Sequence, residues 1–193
     1  DVFARSLSIG PETMVMRFQP DQPMHNRYAV DHSFLSAQSG DECVTINRTV
    51  NAFFKWEFNS CEMLVKFGGA GQPDQVYPID YANACPDVAV TSLHYYFPWA
   101  MSALLRWTAY CVATGRSPRT QVDTGPWFAA ADDEGLDYQG RLAAYQGLAD
   151  DYFETDRYRE FCQTSLPHVD EMVLEWIDGP DFKSLLTSTI QQT

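Results

Sequence analysis

Apolar and polar residues alternate from the start of the chain. Residues 2–9 alternate around Arg5, and residues 13–18 repeat the pattern around Arg17. Successive strand side chains point to opposite faces, so this period of two predicts two strands. Gly10-Pro11-Glu12 supplies the turn between them, and residues 20–27 read as a loop. The period changes at Ser39-Gly40-Asp41-Glu42, where a serine followed three residues later by glutamate has the form of a capping box. It predicts a helix that starts at Ser39 and repeats Cys43, Ile46, Val50 and Phe53 at helical spacing.

Alternation returns in residues 58–65 and 76–83, two further strands joined by a glycine-rich loop at 68–75. Strict alternation places Cys61, Met63 and Val65 on one face of the first and Glu62 on the other. In the second it groups Tyr77, Ile79 and Tyr81 and sets Asp80 opposite them. Folded as an antiparallel hairpin centred on the loop, the two strands make Glu62 and Asp80 neighbours on one face. Like charges directly across a sheet repel. A bound cation reconciles them, and carboxylates with the carboxamide of Asn83 just beyond are the hard oxygen donors that magnesium accepts. The competing reading is a pair of solvent-facing charges on a half-exposed sheet.

Cys85-Pro86-Asp87 breaks the chain, and a long helix is expected from near Pro98, with Leu104, Trp107, Cys111 and Val112 inward and Gly115 as its cap. The pattern fades over residues 116–137, which read as a linker. A helix over 138–153, another around Tyr158 and a third over 167–177, stopped by Gly179-Pro180, complete the chain. The expected fold is α+β: an antiparallel sheet flanked by helices in residues 1–115, the linker, and a helical extension over 138–193.

At 193 residues and 45% apolar, the chain is long enough to bury a real core. A formal net charge of −13 argues against a nucleic-acid partner, because phosphate binding is built on clustered Lys and Arg. Five scattered cysteines, with no paired Cys or Cys/His spacing, support neither a disulfide framework nor a zinc site and fit reduced thiols in a cytoplasm. The apolar stretch 97–113 is interrupted by Arg106 and short for a membrane span, so no membrane partner is expected. No signal peptide is visible. The chain opens inside a strand, which suggests a fragment whose natural N-terminus lies upstream.

The order of strand with Arg5, strand with Arg17, capped helix, strand with Glu62, loop, and strand with Asp80 and Asn83 resembles the C-terminal half of the ATP-grasp ligases. The resemblance covers roughly residues 1–115. It is sharpest in Phe58-Asn59-Ser60-Cys61-Glu62 and in Tyr77-Pro78-Ile79-Asp80-Tyr81-Ala82-Asn83, which are similar to a glutathione-synthetase-like, glutamate-ligase-like branch. Arg5, the Arg27-Tyr28 pair and Phe34-Leu35-Ser36 also match that branch.

The resemblance implies an ATP- and magnesium-dependent ligase that activates a small carboxylate as an acyl phosphate for attack by an amine or similar nucleophile. Glu62, Asp80 and Asn83 would hold the metal, Arg5 would contact phosphate oxygens, and Arg17, then Arg27, would extend the charge clamp. Asp80 and Asn83 stand three apart where the best-known members have two, and a bulge would absorb the difference. In that family the adenine pocket and phosphate-binding lysines lie upstream, so these 193 residues by themselves are expected to be inactive. The alternatives are a non-catalytic ATP-grasp-like module and an unrelated α+β module, either acting in protein–protein interaction. Homo-oligomerisation is one role for the helical tail. His94, beside Tyr95 and Tyr96, reads as a capping or core histidine, and His25 and His32 lie in loop that could cover a substrate.

Overall fold

The structure, a computed structural model, describes residues 1–117 and 119–190. Strands β1 (Val2–Ile9), β2 (Glu12–Phe18), β3 (Tyr28–Ala29), β4 (Phe58–Lys66) and β5 (Gln75–Ala84) form one antiparallel sheet in the order β3-β2-β1-β4-β5. Helix α1 (Ala37–Phe54) lies between β3 and β4 in sequence. After β5 come α2 (Val90–Leu93), a 3-10 turn (His94–Tyr96) and α3 (Phe97–Thr114). They are followed by α4 (Gly125–Asp132), α5 (Tyr138–Phe153), α6 (Thr155–Ser165), α7 (Val169–Asp178) and α8 (Pro180–Ile190). The expected α+β class and antiparallel sheet are both present. No helix among the described residues is long and apolar enough to cross a membrane.

Alternation in β1 and β4 builds two packing surfaces. On one face Ala4, Cys61, Met63 and Val65 meet Cys43 and Ile46 of α1. On the other, Leu7 and Met16 join Ala103 and Trp107 of α3. The surface of α1 that packs inward is unusually polar, with Thr45, Asn47, Arg48 and Asn51 buried. Buried polar groups must be satisfied. Asn47 donates to the Ser6 carbonyl at 3.1 Å and to its hydroxyl at 2.9 Å, while Arg48 donates to Asp150 at 2.7 Å and to Thr155 at 2.8 Å, which ties α1 to α5 and α6.

Helix α1 begins before the expected cap. Ser36 is the N-cap and accepts from the Ser39 amide at 3.2 Å, and Glu42 accepts from the Tyr138 hydroxyl instead of closing a box. The stretch 116–137 contains α4, whose Trp127 is buried in the main core; α7 stops before Gly179 as expected, but a further helix, α8, starts at Pro180. Proline fits the first helical turn, where its missing N–H has no intrahelical acceptor to lose. The helical tail is continuous with the sheet's core: Trp127, Phe153, Tyr158 and Phe182 pack in the same cluster as Leu7, Ile9 and Trp107.

Arg106 on α3 binds the layers together. It donates to both oxygens of Glu12 at 2.7 Å and to Asp170 on α7 at 2.7 Å, and Tyr158 on α6 adds its hydroxyl to Glu12. Burial alone would weaken its hold on the proton, but the bonds to Glu12 and Asp170 outweigh that, and its pKa lies above the ordinary arginine value. Removing one partner of a buried ionic cluster leaves uncompensated charge. Arg106→Met is therefore expected to cost about 3–5 kcal/mol in denaturant unfolding.

The β1–β2 turn is equally constrained. Gly10 has φ +54°, and a Cβ there would lie 2.3 Å from the Trp107 ring, which is itself buried. Gly10→Ala adds left-handed strain to a clash with a ring that has no room to retreat. It should lower stability by at least about 2 kcal/mol, read from a chemical denaturation midpoint.

Candidate functional site

The β4–β5 hairpin pairs Glu62 with Asp80, as alternation and loop position predict. Two bulges in β5 decide what surrounds them. Ser60 pairs with Asn83 and Glu62 with Asp80, so three steps on β5 match two on β4. The extra residue returns Asn83 to the face carrying Asp80, and its Nδ2 donates to the Ser60 hydroxyl at 2.9 Å. Between Glu62–Asp80 and Met63–Pro78 a second extra residue intervenes, so Tyr77, paired with Leu64, also shares the face of Asp80. The expectation that Asp80 lies opposite Tyr77 is thus corrected: strict alternation does not survive a bulge.

Arg5 on β1 stands directly across from Glu62. Its Nη2 lies 3.2 Å from Glu62 Oε1, its Nη1 donates to the Tyr28 hydroxyl at 2.9 Å, and its guanidinium rests over the Phe18 ring at 5.4 Å. Its Nε is buried with no hydrogen-bond partner among the described residues. The guanidinium is therefore oriented from three sides before any ligand arrives. Burial raises the pKa of the Tyr28 hydroxyl above the ordinary tyrosine value, and the neighbouring Arg5 offsets only part of that rise.

Each of the three oxygen-bearing residues keeps an oxygen free of any described partner: Oε2 of Glu62, Oδ2 of Asp80 and Oδ1 of Asn83. Asp80 Oδ1 accepts weakly from the Ala82 amide at 3.4 Å. Two carboxylates and a carboxamide on one sheet face are a donor set that suits a hard cation. No cluster of three or more His, Cys, Asp and Glu side chains suited to a metal ion occurs among the described residues. The third donor of such a site would have to be the Asn83 amide.

Beside this face opens a cavity of about 360 Å³. Leu7, Met16 and Leu93 give it an apolar floor, while Arg5, Ser60 and Asn83 form the wall toward the carboxylates. Arg27 and Asp87 lie at its rim. Arg27 bonds the Gln22 carbonyl through Nε at 3.2 Å and meets no carboxylate among the described residues. Asp87 is held below the usual carboxylate pKa by the Ser92 hydroxyl, then by the Ala89 amide, and so stays ionised.

Arg17 does not join this group. The register pairs Arg5 with Met16 and Arg17 with Ala4, which puts Arg17 on the opposite face, bonded to Asp31 at 2.8 Å. Its expected place in the charge clamp is corrected by that parity. His94 is exposed at a positive-φ position, and His32 packs against the rings of Tyr95 and Tyr96. The side chain of His25 lies outside the described residues. Tyr28 and Ser60 entered the sequence reading only as parts of matching segments, with no role assigned, and Ser92 did not enter it. For Ser60 the signal was its position, two residues from Glu62 and hence on the same face.

Comparison with protein-family models, with curated proteins and with solved structures finds no match to this chain.

The loop that spaces β4 from β5 is fixed by Asp74. Its Oδ2 accepts from the hydroxyls of Ser36 at 3.0 Å and Ser39 at 2.7 Å, and its Oδ1 accepts from the Gly68 amide at 3.0 Å. The Ser39 bond first, then Gly68 and Ser36, depress its pKa. A depressed carboxylate contributes stability above its unfolded value, near pH 4, and loses it as pH falls through the lower folded value. Amide-exchange protection at residues 68–75 is thus expected to fall in acid, and Asp74→Ala should show the same loss already at neutral pH.

Proposed function

We propose that this chain carries the metal- and phosphate-binding half of an ATP-dependent ligase of the ATP-grasp kind. The observation that carries the reading is the cross-strand Glu62–Asp80 pair, with Asn83 on the same face and Arg5 beside it. Two carboxylates held side by side repel, and the Arg5 guanidinium offsets the charge of only one of them, Glu62, which leaves a place for a further cation. Glu62, Asp80 and Asn83 would hold magnesium, which when bound offsets the negative charge of ATP phosphates.

The chain's own residues supply positioning and charge. Arg5 is prebuilt to meet phosphoryl oxygens, because Glu62, Tyr28 and Phe18 fix its plane, and fixed cations lower the barrier to phosphoryl transfer. Arg27 would receive the carboxylate substrate at the cavity rim, since it bonds no carboxylate among the described residues. The apolar floor of Leu7, Met16 and Leu93 would exclude water from the reacting acid, protecting an acyl phosphate from hydrolysis until an amine attacks.

Measuring ADP release by the full-length protein with ATP and magnesium tests the reading. Asp80→Asn should lower turnover about a hundredfold or more while circular dichroism stays unchanged. Wild-type turnover in that variant sinks the metal assignment. Absence of ATP turnover in the unmutated full-length protein favours a non-catalytic binding module instead.

A further inference from the structure

On the far side of α3 from the sheet, α3 and α7 leave a groove of about 470 Å³ between them. Met101, Leu104 and Leu105 form one wall, and Met172, Val173 and Trp176 form the other. Several of these residues face solvent: Leu105 is 55% exposed, Met172 64% and Trp176 46%. Apolar side chains gathered on two adjoining helices, rather than scattered singly, mark an interaction surface.

The groove is preformed, because the Arg106–Asp170 pair at 2.7 Å clamps α3 to α7. That pair also consumes the charge of Arg106, so the α3 wall is left neutral. The exposed side of α7 that borders these apolar residues in sequence is acidic: Glu171, Glu175 and Asp178 are exposed, and the helix contains no Lys or Arg. His168 bonds Glu171 and Lys183 bonds Asp178, whereas Glu175 meets no cation among the described residues.

An apolar trough of this form accepts one helix face, with anchors spaced i, i+3, i+4 and i+7. Its two methionines can adjust to differing anchors. The charge of this side of α7 selects the polar side of that helix. A second copy of this chain brings the same acidic α7 and a net charge of −13, which repels across such a contact. We infer that the α3–α7 groove binds an amphipathic helix of basic character from a partner protein. The inference is independent of the ligase reading, since none of its residues lies in the sheet-face site.

The test uses a fluorescent synthetic peptide of about 18 residues, five helical turns, with Leu at the anchor positions and Lys elsewhere, together with a twin carrying Glu for Lys. Anisotropy should show saturable binding of the Lys peptide and binding at least about tenfold weaker for the twin. The double variant Leu105→Ser, Met172→Ser alters exposed residues and should melt like the parent while losing about tenfold in affinity. Glu171→Gln with Glu175→Gln should weaken binding and flatten its salt dependence. No binding, equal binding of both peptides, or binding indifferent to the Leu105/Met172 variant would overturn the inference. So would a dimer in sedimentation that the same variant dissociates, since the groove would then hold a second copy.

Discussion

The guanidinium of Arg106 is the joint on which the arrangement of helices about the sheet depends. It reaches β2 through Glu12 and α7 through Asp170, and α6 closes on the same carboxylate through Tyr158. A charge this deeply placed is tolerated only when its partners satisfy it. The requirement fixes geometry as well as energy, because a planar fork bonded on two sides leaves its helix little freedom to slide or rotate. The tail helices are thereby made part of the main core. The stacking of Trp107 on Tyr110, and the edge-to-face contact of both with Tyr158, fills the space beside the joint.

What the sequence revealed of this fold follows from which patterns have a fixed period. The strand pairs and most helices were legible because their alternation or helical repeat survives into the structure. Helices α4 and α8 were hidden by the Pro126 and Pro180 that begin them, read as breaks although proline is at home in a first turn. The buried face of α1 was obscured because Asn47, Arg48 and Asn51 occupy core positions and hydrophobic periodicity does not count them. The side to which Arg17 points was recoverable. A two-residue turn pairs Ile9 with Glu12, and counting outward sets Arg5 against Met16, which leaves Arg17 on the other face.

Electrostatics explains why a few cations in this acidic chain matter more than their number suggests. Arg48, Arg106 and Arg116 each meet carboxylates within the folded protein and serve its architecture. Arg5 differs in its place: paired with Glu62, it still sets its guanidinium at a cavity wall. Arg27, with no carboxylate of its own, stands at the rim of the same cavity. In a chain with 26 acidic and 13 basic residues, two arginines thus line the cavity beside the two aligned carboxylates.

The bulges in β5 shape both the edge of the sheet and its cluster of oxygen donors. As the last strand of the sheet, β5 presents an unpaired edge, and Tyr77, Ile79 and Tyr81 on it are each nearly half exposed. Such an edge invites pairing with another chain, and natural sheets blunt it with proline, bulges and charge. Pro78, the two irregular steps and Asp80 are all devices of that kind. Yet the same irregular steps turn Asn83 toward Ser60 and set it on the face of Glu62 and Asp80. A regular strand would have left Asn83 on the far side and a continuous ladder open to neighbours. The sheet's protection against misassociation and the convergence of its oxygen donors thus arise from one departure from regular pairing, and a substitution that straightened β5 would remove both.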